Sequence, residues 1–230
     1  MLPSVVPLYM ERVTAEVAVS HKVLGIAKLL SYQLLFEPAN RIPVCGHPSP
    51  KQERKTLEVS DTELLRAKKF RVVRRTETRD AGMLTQEVIL HPGAVAIVAL
   101  VDADHLCLIK NRRTAVGETL IELPAGTLEE GEDPEATAYR ELYEETGYQA
   151  EEMIPLSECY MSPGILQERM HFFVARRLTP GEPDLQDDEQ IETTIIPCEQ
   201  AIAMATDGRI HDAKSIVGLL LYAHREFAGG

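Results

Sequence analysis

The sequence predicts an α+β domain built in layers and preceded by an N-terminal extension. Three observations predict it. Short β-like runs separated by turn residues fill most of residues 61–196. One strongly capped helical segment stands in their midst. Two more helical segments close the chain. Strands interrupted by a few helices bury their apolar faces as layers around one core. The length of 230 residues allows one full domain plus an extension. A hydrophobic fraction of 44% with 26% charged residues is that of an ordinary globular chain.

Residues 1–60 form the extension. Residues 11–36 are helix-compatible, with His21 and Lys22 interrupting their apolar character. No basic stretch or small-residue cleavage site opens the chain, so a signal peptide is rejected. Pro38, Pro43, Pro48 and Pro50 mark residues 37–56 as a linker. The extension is read either as a poorly ordered segment, which includes the case of a start codon placed too early, or as a helix that packs on a partner subunit.

The domain proper runs over residues 61–230. Two β-like runs, 69–77 and 85–91, flank the turn signal Asp80-Ala81-Gly82. Residues 94–101 and 105–110 make a second hairpin around Asp102-Ala103-Asp104. A loop at 111–119, a short strand at 120–123 and a loop at Gly126 lead into the central helix. Further strands are expected at 152–160, 170–176 and 192–197, and helices at 197–206 and 212–227.

The central helix is expected over residues 134–146. Asp133 is a good N-cap, Pro134 suits the first helical position and Gly147 suits the position past the end. Glu135 places a negative charge at the positive end of the helix dipole. A rotation of about 100° per residue puts Ala136, Tyr139, Leu142 and Tyr143 on one stripe. It puts Glu141, Glu144 and Glu145 together on another face. Like charges at that spacing destabilise a bare helix by a few tenths of a kcal/mol per pair, roughly. Mg²⁺ would relieve them, because it prefers oxygen ligands and brings substrate phosphates with it. Arg140 can pair with Glu144 on the helix or with Glu132 in the preceding loop. Glu132 is the favoured partner, since that pair would pin the loop to the helix.

Gly126, Glu132, Arg140, Glu141, Glu144, Glu145 and Gly147 stand at fixed spacings, with Leu142 in an apolar slot. This layout resembles the signature of the Nudix hydrolases. Every fixed position is present, and Tyr148 replaces the usual final aliphatic residue. The resemblance implies an α/β/α sandwich with a mixed β-sheet between helices. It also implies metal-dependent hydrolysis of a nucleoside diphosphate linked to another moiety. By resemblance, Glu141, Glu144 and Glu145 are metal ligands, Arg140 orients them, and Ala125 offers a backbone carbonyl to one metal.

Three further segments resemble the ADP-ribose pyrophosphatase branch. They are Glu122-Leu123-Pro124-Ala125-Gly126, Ser162-Pro163-Gly164 with Glu168 beyond it, and residues 208–222 containing Asp212-Ala213-Lys214-Ser215. The resemblance spans about residues 66–226. It implies hydrolysis of ADP-ribose to AMP and ribose 5-phosphate, with Mg²⁺ and with Mn²⁺ as a substitute. Pro163 and Gly164 fall at the branch's substrate-binding turn, and Pro163 matches its distinguishing proline. Arg113 is a diphosphate clamp, its planar fork being suited to phosphate oxygens. Asn111 stands where the branch often has Gln. A late-loop glutamate acts on the water, which points to Glu189 after Asp187-Asp188. Glu168 is the second choice for base or substrate contact. The branch is typically homodimeric, its N-terminal strands reaching across to the partner.

Other same-class substrates are GDP-mannose, ADP-glucose, NADH and FAD. The different-class alternative is a sensor that binds ADP-ribose without cleaving it. The intact acidic motif argues against a sensor, and residues 1–56 show no helix-turn-helix pattern. A net charge of −12 argues against a nucleic-acid partner. No apolar run reaches a membrane span. Cys45, Cys107, Cys159 and Cys198 form no CxxC pair, and read as reduced thiols in a cytoplasmic protein. His91 and His171 read as structural. No nucleophile elbow surrounds Ser162.

Overall fold

The computed structural model describes residues 58–186 and 190–227. The helix and linker expected in residues 1–56 lie outside the described residues. A first sheet is a meander of β1 (Val59–Arg66), β2 (Arg71–Arg79) and β3 (Gly82–Leu90), with the short β9 (Leu166–Gln167) parallel to β3 at its edge. Asp80 and Ala81 form the two-residue turn between the paired ends Arg79 and Gly82.

The second sheet carries the core. Its order is β11 (Ile191–Pro197), β5 (His105–Arg113), β4 (Ala94–Leu100), β10 (Arg169–Thr179) and β8 (Gln149–Tyr160). β4 and β10 are parallel, and the other pairs are antiparallel, so the sheet is mixed. Every residue of β4 is buried. A strand with helices on both faces needs such a continuous apolar run. Val95, Ile97 and Ala99 pack with Ala138 and Leu142 of α1 (Pro134–Thr146). Val98 and Leu100 pack instead with Ala201 of α2 (Cys198–Thr206) and Leu219 of α3 (Ala213–Phe227). Alternation along one strand thus sends successive side chains to opposite helical layers. The expected α/β/α sandwich is the result.

Two short strands bring the functional loop to the helix. β6 (Glu118–Glu122) pairs with β5, and β7 (Ala125–Thr127) pairs with the first half of β4 through Val95 and Gly126. β7 is a strand where the sequence suggested only a loop. Three residues are too few to show a period of two, so nothing local announces it. β5 likewise runs on through Arg113, which moves Asn111 and Arg113 from the expected loop into a strand. β1 was not expected either. Its side chains are exposed throughout, and it is held by its ladder to β2 and by a bidentate Arg75–Asp61 pair, both bonds 2.8 Å.

Helix α1 has the bounds its caps predict. Asp133 Oδ2 accepts hydrogen bonds from the backbone N–H groups of Glu135 and Ala136, and Gly147 closes the helix at φ 74°. The buried face is rotated from the expected stripe, however. Ala136 is exposed, while Glu141 and Glu145 are buried beside Ala138 and Leu142. The acidic face lies against protein because β7 covers it.

Gly147 does more than end the helix. A Cβ there would fall 2.3 Å from the carbonyl oxygen of Gly181. Gly147→Ala therefore meets two costs, a left-handed backbone of about 1–2 kcal/mol and a main-chain clash of about 1–3 kcal/mol. We expect about 2–4 kcal/mol of destabilisation in urea unfolding. An unchanged midpoint would show that residues 180–182 yield freely.

Candidate active site

Sequence spacing sets Arg140, Glu141, Glu144 and Glu145 on adjacent turns of α1, and β7 supplies the wall they meet. Arg140 is the hub. Its Nε and Nη2 donate to the two oxygens of Glu132 at 3.0 and 2.9 Å. Its Nη1 donates to Glu141 Oε1 at 2.8 Å and Glu144 Oε2 at 3.2 Å. Both partners foreseen for Arg140 are therefore engaged, the loop partner bidentately. The bond from Arg140 holds the Glu132 carboxyl down at about 2, well below its ordinary value. Glu132 in return raises the Arg140 guanidinium above its own. The pair pins residues 129–132 to the helix, helped by the Glu129 N–H donating to Glu132 Oε2.

Gly126 explains its own identity. A Cβ at that position would lie 1.8 Å from the Glu141 carboxyl carbon and 2.0 Å from one of its oxygens. The absent side chain is a cradle for that carboxylate. One residue earlier, the Ala125 N–H donates to Glu145 Oε2 at 2.8 Å. Glu141 and Glu145 are 7% and 3% exposed, an uncommon burial for carboxylates and one that needs charge compensation.

Among the described residues, no three His, Cys, Asp or Glu side chains converge as they stand into an enclosed metal site. Arg140 Nη1 holds Glu141 and Glu144, and the Ala125 N–H holds Glu145. The donor set still fits a hard divalent cation. Glu141 and Glu144 of one helix share the Arg140 guanidinium, the Ala125 N–H holds Glu145 on the same helix, and carboxylate oxygens are the donors such a cation prefers.

Arg113 lies on β5 opposite Glu118 of β6, and pairs with Glu122 through Nε at 2.8 Å and Nη2 at 2.6 Å. That bond raises its guanidinium above the ordinary value, and the charge of Glu145 contributes to the same shift. Arg113 and the acidic helix thus belong to one electrostatic neighbourhood. Glu168 lies between β9 and β10, with Oε1 3.5 Å from His91 Nδ1. His91 Nδ1 also accepts a hydrogen bond from the Gly93 N–H, and burial pushes this imidazole down. Gly164 accepts a hydrogen bond from Gln86 Nε2 at 2.6 Å. Pro163 and Gly164 line a groove with Arg75, Arg79 and Tyr160. Glu189 lies outside the described residues, as do Asp187 and Asp188. The backbone just before them is anchored to the acidic helix, since the Asp184 N–H donates to the Glu144 carbonyl at 2.9 Å.

Cys107, Cys159 and Cys198 are free thiols, and burial pushes Cys107 up to about 11. His171 pairs with Glu158. Sequence reasoning passed over Glu122, Asp212, Lys214 and Ser215 as individual residues. Their only signal was membership of two motif segments, whose chemistry becomes visible once the segments meet.

Residues 90–217 match the family described as the NUDIX domain. The chain is 39% identical over 132 residues to the ADP-ribose pyrophosphatase of Bacillus subtilis (strain 168), an overlap of 56% of this chain and 71% of that one. It is 43% identical over 115 residues to the GDP-mannose pyrophosphatase of Yersinia pestis (strain Pestoides F), covering 47% of this chain and 55% of the other. A crystal structure of an ADP compounds hydrolase superposes with a TM-score of 0.65 at 24% identity, over 74% of this chain and 93% of that chain.

Proposed function

The chain belongs to the NUDIX domain family, and on that premise we propose that it hydrolyses the diphosphate of ADP-ribose to give AMP and ribose 5-phosphate. It is a hydrolase. The observation that carries the reading is the Gly126 cradle, which seats a buried carboxylate of the acidic helix against β7. A helix kept only for packing would not need a glycine opposite Glu141. The ADP-ribose assignment is supported by the greater length over which the Bacillus relative aligns. A GDP-sugar substrate is the second reading, supported by the Yersinia relative.

Glu141, Glu144, Glu145 and the Ala125 carbonyl are the proposed ligands of the cation, which is Mg²⁺ with Mn²⁺ as a substitute. A divalent cation held by these residues would supply charge neutralisation for the diphosphate and activation of a water. Arg140 gathers the glutamates before the cation arrives and keeps the Glu132 loop closed on them afterwards. Arg113 binds a phosphate oxygen and stabilises charge that grows in the transition state. Glu189 is the proposed base that aligns the water, with Glu168 as the second choice. Pro163 and Gly164 contact the substrate from the turn before β9.

Three further features belong to this reading. The chain is a homodimer, supported by the exposed Val59, Leu64, Leu65 and Met83 on the first sheet. It works in the cytoplasm, supported by its free thiols. Its partner is a small nucleoside diphosphate derivative rather than a nucleic acid, supported by the net charge of −12. Among the described residues, no helix is long and apolar enough to cross a membrane.

The test is a substrate panel with purified protein and Mg²⁺, holding ADP-ribose, ADP-glucose, GDP-mannose, NADH and FAD. AMP is expected fastest from ADP-ribose, and EDTA should abolish its release. Faster turnover of GDP-mannose would move the substrate and keep the chemistry. No cation-dependent hydrolysis of any compound would overturn the catalytic reading.

A further inference from the structure

The motif segments at residues 122–126 and 212–215 contain charged residues to which the reaction, as derived above, gives no role. The fold brings these segments into contact across 92 positions of sequence. Glu122 is fully buried. Its Oε1 accepts from Arg113 Nε, while its Oε2 accepts from Arg113 Nη2 at 2.6 Å and from Lys214 Nζ at 2.5 Å. Lys214 Nζ also lies 2.9 Å from Asp212 Oδ2. Asp212 caps helix α3 through the N–H and Oγ of Ser215, and the buried Ser215 Oγ accepts from the Leu123 N–H at 2.7 Å. Two cations and two carboxylates thus form one closed set beside the strand that leads to Ala125.

Such a set is not the cheapest way to fill this space. A buried ion pair is matched or exceeded in stability by apolar residues of similar volume. What it supplies is direction. Burial pulls Glu122 upward, yet Arg113 and Lys214 outweigh that pull and keep it ionised. An ionised carboxylate holding Nε and Nη2 fixes the plane of the guanidinium, as a bidentate fork does. The pairing leaves Nη1 outside it, on a side chain that is 40% exposed. Lys214 fixes the second oxygen of Glu122, so the carboxylate cannot rotate away. The set therefore runs from the cap of α3 to the exposed edge of Arg113.

We propose that Glu122 and Lys214 are positioning residues that lock the Arg113 guanidinium, so that its outer edge meets the substrate diphosphate. This rests on the reading of Arg113 as a diphosphate clamp. It gives both motif segments one purpose, orienting a cation across the substrate from the acidic helix.

A mutant cycle on kcat/KM for ADP-ribose tests it, read well below the melting midpoint of each variant. Glu122→Gln and Arg113→Gln are each expected to lower kcat/KM roughly 10- to 100-fold, mainly through KM. The double variant should be no worse than Arg113→Gln within about twofold, because Glu122 then has nothing left to orient. Lys214→Gln should show the same loss of effect in the Arg113→Gln background. Losses that multiply in the double variants would overturn the proposal and leave the set a structural one. Should Glu122→Gln fail to fold by circular dichroism, the Lys214→Gln cycle decides alone. A wild-type protein inactive on ADP-ribose would remove the substrate reading and this proposal together. Active wild type with multiplying losses removes only the proposal.

Discussion

Glu145→Gln is expected to lower kcat for ADP-ribose by roughly 100- to 1,000-fold while the protein stays folded. That loss corresponds to about 3–4 kcal/mol of transition-state stabilisation. Glu145 is 3% exposed, and the Ala125 N–H donates to its Oε2. A glutamine keeps the volume and still offers an oxygen to that N–H. What it removes is the negative charge that a divalent cation needs. The amide keeps the side chain's volume and its contact with the Ala125 N–H, so the melting midpoint should hold. Stopped assays of AMP release and thermal melts on the same preparations check both halves. Near-wild-type kcat would detach the acidic helix from the chemistry.

Gly126→Ala carries the second large effect, and from a single methyl group. The added Cβ would meet the Glu141 carboxyl carbon at 1.8 Å. The nearest atoms belong to the far end of a flexible side chain, so the clash resolves by swinging the carboxylate out of its cradle. The backbone of β7 and its pairing with Val95 can stay in place. We therefore expect a small change in stability, within about 1 kcal/mol, and a loss of activity on the order of 100-fold. Excess Mg²⁺ should recover part of that loss, because the defect lies in a ligand rather than in the fold. A titration of Mg²⁺ dependence against kcat reads this directly. Equal midpoints in Mg²⁺ for wild type and variant would show that Glu141 finds another way to the cation. The two substitutions thus probe the proposed cation site from opposite walls, one through lost charge and the other through lost position.

Much of this site was legible in the chain itself. Helix α1 has the bounds its caps predict, because Asp133, Pro134 and Gly147 act on backbone groups within a turn of themselves. The grouping of Arg140 with Glu141 and Glu144 follows from the pitch of a helix, and the bond to Glu132 follows from a short loop. The central strands read correctly where apolar runs were flanked by turn residues, as in β4 and β5 up to Lys110. Local chemistry sufficed in each case, so no partner from elsewhere in the chain was needed.

The remainder had no local signature. The buried face of α1 turned toward Glu141 and Glu145 because β7 covers those residues, and three residues of strand announce nothing in sequence. Arg113 looked like a loop arginine until β5 was extended by its ladder to β6. β1, exposed along its length and with its apolar residues Val59, Leu64 and Leu65 out of alternation, gave no period of two to read. Glu122 and Lys214 each look like an ordinary surface charge when taken alone, and only the packing of α3 against β6 makes them partners. The sequence by itself determined the acidic helix, its caps and the grouping of its glutamates, because those depend on neighbours within a few residues. The tertiary structure alone decided what stands opposite that helix and that Arg113 and Lys214 share the buried Glu122. Contacts between distant segments are chosen by the burial of whole faces, and no single segment encodes that choice.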